Sequence, residues 1–142
     1  MYRTILAALD GSPRESDVFR AAAELAQRFG AALSVCRAVT IPVGLPDTVW
    51  AIELGQLDTA LIADAKRGVA RCIEGAPVAI AQSIVRMGQP ADVVLDVAKE
   101  IGADLVVIGS HGYGAFERLI GTTASKIVHR SHCSVFVVRP SE

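Results

Sequence analysis

The sequence predicts an α/β fold: a single domain over 1–142, built on one doubly wound parallel sheet with helices on both faces. Three observations carry this expectation. Five short apolar runs recur along the chain, and the longest are continuous rather than alternating, as in strands covered on both faces. Segments with apolar residues at helical spacing lie between the runs. Gly, Pro and Asp residues punctuate the changeovers. The chain has 142 residues, of which 51% are hydrophobic, 20% charged and 5% aromatic. That length suits one domain with a sizeable core, which must be mostly aliphatic.

Thr4 to Leu9 reads as the first buried strand, ended by Asp10-Gly11-Ser12. Ser12 is expected to be the N-cap of the first helix, with Pro13 at its first position and Glu15 completing a capping box. Val18, Ala22, Leu25, Ala26 and Phe29 share one helical face, and Gly30 stops the helix. Ala32 to Val39 is the second strand. Thr40 to Val49 holds two prolines and a glycine and reads as a loop. Leu54, Leu57, Leu61, Ala65, Val69 and Ile73 mark a second helix, ended near Gly75-Ala76-Pro77. Val78 to Val85 is a third strand. Gly88-Gln89-Pro90 turns into a third helix with Val93, Val94, Val97 and Ile101 inward and Gly102 at its end. Leu105 to Ile108 is the fourth strand and the most apolar. After a glycine-rich segment, Thr122 to Arg130 forms a short helix, and Ser134 to Val138 is the final strand.

Strands alternating with helices imply parallel pairing through right-handed crossovers. Ligands of such sheets bind outside the carboxyl ends of the strands, where the strand order reverses. The loops after Leu9, Val39, Val85 and Ile108 are therefore the ones that carry function.

Composition removes several function classes. The formal net charge is −1, so no basic field attracts nucleic acid, and the few aromatics offer no stacking platform for single strands. No apolar run approaches the ~20 residues of a membrane span. The N-terminus lacks the longer apolar core and cleavage site of a signal peptide, so the expected compartment is the cytosol. Cys36, Cys72 and Cys133 are an odd set without a close pair, and read as small buried hydrophobes rather than a disulfide framework. His129, His132 and Cys133 lack the second cluster a tetrahedral metal set needs. There is no Gly-x-Ser-x-Gly elbow, no Cys with an evident His partner and no Walker A triplet; Lys126 follows Gly121 by five residues on a helix and is a poor substitute. Trp50 either covers a ligand face or packs on the second helix, and packing is favoured.

The loop after Ile108 runs from Gly109 to Thr123 and contains Gly109, Gly112, Gly114 and Gly121. Glycines let backbone N–H groups approach an anion and allow the positive φ of an anion nest. Gly121-Thr122-Thr123 also opens a helix, whose N-terminus presents free N–H groups and partial positive charge to a phosphate. The two threonine hydroxyls add donors. The same residues would serve as plain turns and a helix cap, but their combination favours phosphate. Asp10, at the end of the first strand, suits a ribose hydroxyl or Mg²⁺ held through water, or else stabilises the next turn. His111 is either a phosphate donor or an exposed loop residue.

These residues resemble the universal stress proteins over the whole chain. The resemblance rests on Ile5 to Ser12, the Gly88-Gln89-Pro90 turn, Ala103 to Gly112 and the ending Cys133 to Val138. It implies a five-stranded parallel sheet in order 3-2-1-4-5 and a homodimer formed by antiparallel pairing of the last strands, Ser134 to Val138. Such a strand would otherwise be an exposed apolar edge. The ATP-binding branch of the family carries Gly-x2-Gly-x9-Gly-Ser/Thr. Gly109, Gly112 and Gly121-Thr122 match it, except that eight residues rather than nine separate Gly112 from Gly121. By this resemblance Ala8, Leu9 and Asp10 would meet adenine and ribose, and Ala38, Val39 and Ile108 would line the adenine pocket. Gly109, Gly112, Gly121, Thr122 and Thr123 would hold the phosphates, with Ser110 and His111 beside them. The implied role is a dimeric, adenine-nucleotide-binding regulatory module of the stress response, taking ATP, ADP or AMP. Hydrolysis or self-phosphorylation would need a base and a metal near the γ-phosphate, for which Asp10 and His111 are the evident candidates. An interaction protein with a vestigial loop is the third reading.

Overall fold

The computed structural model of the chain describes residues 1–41, 54–110 and 121–140. Five strands and four helices alternate in the described residues: β1 (Thr4–Leu9), α1 (Glu15–Phe29), β2 (Ala32–Val39), α2 (Leu54–Ile73), β3 (Ile80–Met87), α3 (Pro90–Ile101), β4 (Leu105–Gly109), α4 (Thr122–Arg130) and β5 (Ser134–Val138). The sheet is all parallel, as the alternation of strands and helices implies, and its order is β3-β2-β1-β4-β5, as the family resemblance implies. The order reverses at β1, which pairs with β2 on one side and β4 on the other.

Side-chain parity sorts the strands between two aliphatic cores. Ile5, Ala7 and Leu9 of β1, Leu33 and Val35 of β2, and Leu105 and Val107 of β4 face α1 and α2, meeting Val18, Ala22, Ala26 and Val69. Leu6, Cys36, Val106 and Ile108 face the other way, onto Val94, Val97 and Ala98 of α3 and Ala124 and Ile127 of α4. Burial on both faces is why β1 and β4 read as unbroken apolar runs.

Several local expectations shift. Helix α1 starts at Glu15, not at Pro13, and no side chain caps it at Arg14. Ser12 instead accepts the Arg14 N–H on its hydroxyl (3.2 Å), Asp10 accepts the Ser12 N–H (2.8 Å), and Glu15 reaches back to the Gly11 N–H (2.8 Å). The capping box has become a turn, made possible by Gly11 at φ 77°, and Ser12 is buried within it. Strand β3 runs two residues later than expected, because its pairing with β2 extends to Val39↔Met87. Phe29 lies at the rim rather than in the core, 39% exposed and edge-on to Tyr2 at 5.2 Å. All three cysteines are free, but only Cys36 is buried. Burial pushes its thiol up to about 12 against the opposing effect of the Arg86 charge. Gly30 and Gly102 end α1 and α3 in the left-handed conformation, as expected. No described helix is long and apolar enough to cross a membrane.

Candidate functional site

Three strand ends and two helix starts converge at the carboxyl edge of the sheet, on the α3–α4 face. They enclose a cleft of about 420 Å³. Ala8 and Ala38 supply part of its wall because their parity is that of Leu6 and Cys36. Small side chains at these two places leave the space that larger strand residues would fill. Ile108, Val94 and Ile127 complete an apolar surface. Asp10 and Thr40 stand at the rim, and Gly109, Gly121, Thr122 and Thr123 form the polar end.

That polar end is a helix N-terminus. Gly121 is the N-cap of α4, no side chain caps it, and no acidic residue sits in the first turn. Among the described residues its first-turn N–H groups meet no side-chain acceptor, and no acidic residue of the turn offsets the positive end of the helix dipole. Thr122 and Thr123 are exposed. Gly121 adopts φ −65° and ψ 165°, and neither it nor Gly109 uses positive φ; the other two glycines of the segment, Gly112 and Gly114, lie outside the described residues. What matters at Gly109 is the missing side chain: a Cβ there would stand 3.3 Å from Val18 Cγ2. The Gly121 N–H donates to the Ser110 carbonyl at 2.7 Å, which joins the two ends of the glycine-rich segment at the cleft.

Of the residues singled out in the sequence, Ala8, Leu9, Asp10, Ala38, Ile108, Gly109, Gly121, Thr122 and Thr123 line this one cleft. Val39 does not; it is buried in the sheet. Ser110 does not either. It is 1% exposed, and its N–H donates to the Val138 carbonyl at 3.0 Å, fastening β4 to β5. His111, Gly112 and Gly114, like Trp50 and most of the loop after Thr40, lie outside the described residues. Asp10 stabilises the turn, its carboxylate accepting the Ser12 N–H, and the residue also borders the cleft. Sequence reasoning missed Thr40, Pro90, Val94, Ala124 and Ile127. Of these the sequence marks only Val94, as an inward core residue of α3. No group of three or more His, Cys, Asp or Glu among the described residues is placed to hold a metal ion.

Helices α3 and α4 are braced against each other around this space. Arg130, in the last turn of α4, donates to Asp92 near the start of α3 at 2.9 Å. Arg86 of β3 makes a two-pronged pair with Glu100 of α3 at 2.8 and 2.6 Å. That hydrogen bonding holds the Glu100 carboxyl below its usual range.

The comparisons with known proteins agree with this architecture. The model of the universal stress protein family matches residues 1–139. Universal stress protein A homolog 1 of Coxiella burnetii is 28% identical over 138 residues, covering 96% of each chain. The universal stress protein UspA from Lactobacillus plantarum superposes with a TM-score of 0.76 at 27% identity, over 97% of this chain and 98% of that one. A universal stress protein solved in complex with cAMP shares the fold, with a TM-score of 0.66 and 24% identity over 99% and 98% of the two chains. With the family model covering nearly the whole sequence, this chain belongs to the universal stress protein family.

Proposed function

We propose that this chain binds an adenine nucleotide in the cleft on the α3–α4 face, and that it acts as a homodimeric regulatory module in the stress response. The observation that carries the reading is the pairing, in one cleft, of an apolar wall with an uncapped helix N-terminus. Ala8, Ala38 and Ile108 leave a slot for a flat base. Asp10 at the rim would accept a ribose hydroxyl, or hold Mg²⁺ through water. The phosphates would sit at Gly121, Thr122 and Thr123, where free N–H groups and helix dipole favour anions. A relative of the same fold in complex with cAMP supports an adenine ligand. A cytosolic setting fits these ligands. For the dimer, the support is β5: among the described residues it is an edge strand paired with β4 alone, and Phe136 on it is 43% exposed. Such an edge invites pairing with a second copy.

The test is mass spectrometry of whatever is released from protein purified without added nucleotide, together with calorimetry using ATP, ADP, AMP and cAMP. An adenine nucleotide in the release and saturable heat with at least one of the four are expected. No release and no heat with any of them would overturn the reading.

A further inference from the structure

A second cleft opens at the same edge of the sheet but on the opposite face, between the β1–α1 turn, β2 and α2. Its volume is about 440 Å³. Arg37 enters it from β2, sharing the parity of Leu33 and Val35. The guanidinium is wedged between two glycines. A Cβ at Gly11 would stand 2.5 Å from its Nη2, and one at Gly68 would stand 2.8 Å from its Nη1. Gly68 lies in the interior of α2, where glycine costs a helix about 1 kcal/mol relative to alanine. The position of Arg37 accounts for that glycine, since a side chain there would displace the guanidinium.

Arg71 follows Gly68 by nearly one helical turn and lines the same cleft; its Nη2 is 3.9 Å from the Gly68 Cβ position. Among the described residues, neither guanidinium has a carboxylate partner. The two acids bordering the cleft are engaged elsewhere: Glu15 with the Gly11 N–H at 2.8 Å, and Asp64 with Arg67 at 3.5 Å. Burial and the Glu15 charge push the Cys72 thiol up to about 11, so it stays protonated and adds no anion.

We propose that Arg37 and Arg71 form a binding site for a phosphate dianion, carried either by inorganic phosphate or by a small phosphomonoester. Two guanidinium groups brought to one cleft, neither paired with a carboxylate among the described residues, repel each other, and a dianion between them relieves that repulsion more fully than the two carboxylates at the border. Their planar forks match phosphate oxygens. Arg37 is already held in place by the backbone on both sides, so little conformational freedom is lost on binding. The Ser12 hydroxyl accepts the Arg14 N–H and keeps its own proton to donate. The site is independent of the nucleotide reading, because Arg37 and Ala38 face opposite sides of the sheet.

The test is calorimetric titration of inorganic phosphate and of phenyl phosphate into the unaltered protein and into Arg37→Met, Arg71→Ala and Gly68→Ala. At least one probe should bind at millimolar concentration or below. The tighter of the two identifies the source, free phosphate or monoester. Each substitution should weaken that binding about tenfold or more, the loss of a charge-assisted pair. Gly68→Ala keeps the result readable if Arg37→Met fails to fold: it improves the helix, so it should melt no lower than the parent and still lose phosphate. Failure of both probes to bind, or binding that survives in Gly68→Ala and Arg71→Ala, overturns the proposal. Phosphate seated at the α4 N-terminus would give the second of these results.

Discussion

The two clefts at the carboxyl edge differ in chemistry although adjacent residues build them. Arg37 and Ala38 are neighbours in β2, and the strand's period of two sends them to opposite faces. On the α1–α2 face the lining is charged, with two arginines around a turn and a glycine-bearing helix. On the α3–α4 face it is mostly apolar, with polar groups confined to the rim and to the start of α4. Position at a topological switch therefore marks where ligands bind but not which ones. The choice is made by side-chain size and charge at single strand positions. A small residue leaves a slot, and an arginine fills the space and supplies a counter-ion site.

That contrast is broken most severely at Gly121. Gly121→Val places a branched side chain at the α4 cap, beside the first-turn N–H groups. Because the glycine has negative φ, most residues adopt its backbone conformation, and the fold should survive. Nucleotide affinity should fall about a hundredfold or more, as several charge-assisted contacts to phosphate are lost together. Calorimetry at matched melting temperature checks this, and affinity within threefold of the parent would remove the phosphate assignment. Next in size is Phe136→Asp, which sets a charge in the β5 edge. An unpaired charge at a buried strand interface should weaken association about thirtyfold or more, giving monomers in sedimentation. Both clefts draw on residues of a single chain, so ligand affinities should change less than about twofold. Dimers that persist would count against pairing through β5.

A smaller effect is expected at Ala38, and it separates the faces directly. Ala38→Leu narrows the apolar slot and should weaken nucleotide binding about tenfold, the scale of a few misplaced methylenes. It should leave phosphate binding at Arg37 unchanged, whereas Arg37→Met should do the reverse. Equal losses of both ligands in either variant would mean that one site, not two, accounts for the binding.

Much of this arrangement was legible in the sequence, and the reasons are physical. Continuous burial of β1 and β4 leaves an apolar run that no alternating strand would show, and the αL glycines after α1 and α3 end those helices at identifiable places. Asp10 could be placed because the fold class dictates which loops meet, whereas Ala8 and Ala38, being small and featureless, were singled out only through the family resemblance. The turn after β1 was misread: the Ser-x-x-Glu spacing fits a capping box, yet Gly11 at positive φ lets Glu15 bond one residue earlier in the chain. Ser110 looked like part of the loop because nothing local reveals that its N–H belongs to the β5 ladder. The arginine cleft was invisible for a similar reason. Arg37 interrupts an apolar strand and Gly68 interrupts a helix, and each looks like noise until they are seen to touch.

The opposite edge of the sheet provides the control for both clefts. There, the Asp104 carboxylate accepts N–H groups from Arg3 (3.2 and 2.9 Å) and Thr4 (3.0 Å), tying the start of β4 to the start of β1. The Arg3 N–H, helped by that of Thr4, holds the carboxyl below the usual aspartate range despite the opposing effect of partial burial. The folded protein then binds fewer protons at this group than the unfolded chain does. Its stabilisation is complete above the ordinary aspartate value of about 3.9, and is lost as pH falls through the lower folded value. Asp104→Asn removes the charge and keeps the size. At pH 7 the variant should be less stable by under about 1 kcal/mol, since solvent reaches the group. The gap should shrink in urea titrations carried out at successively lower pH, and ligand affinity at both clefts should be unchanged. A gap that stays constant down to pH about 2, beneath the usual carboxylate range, would assign the effect to packing at the strand ends. A change in either affinity would show that the two edges of the sheet are coupled.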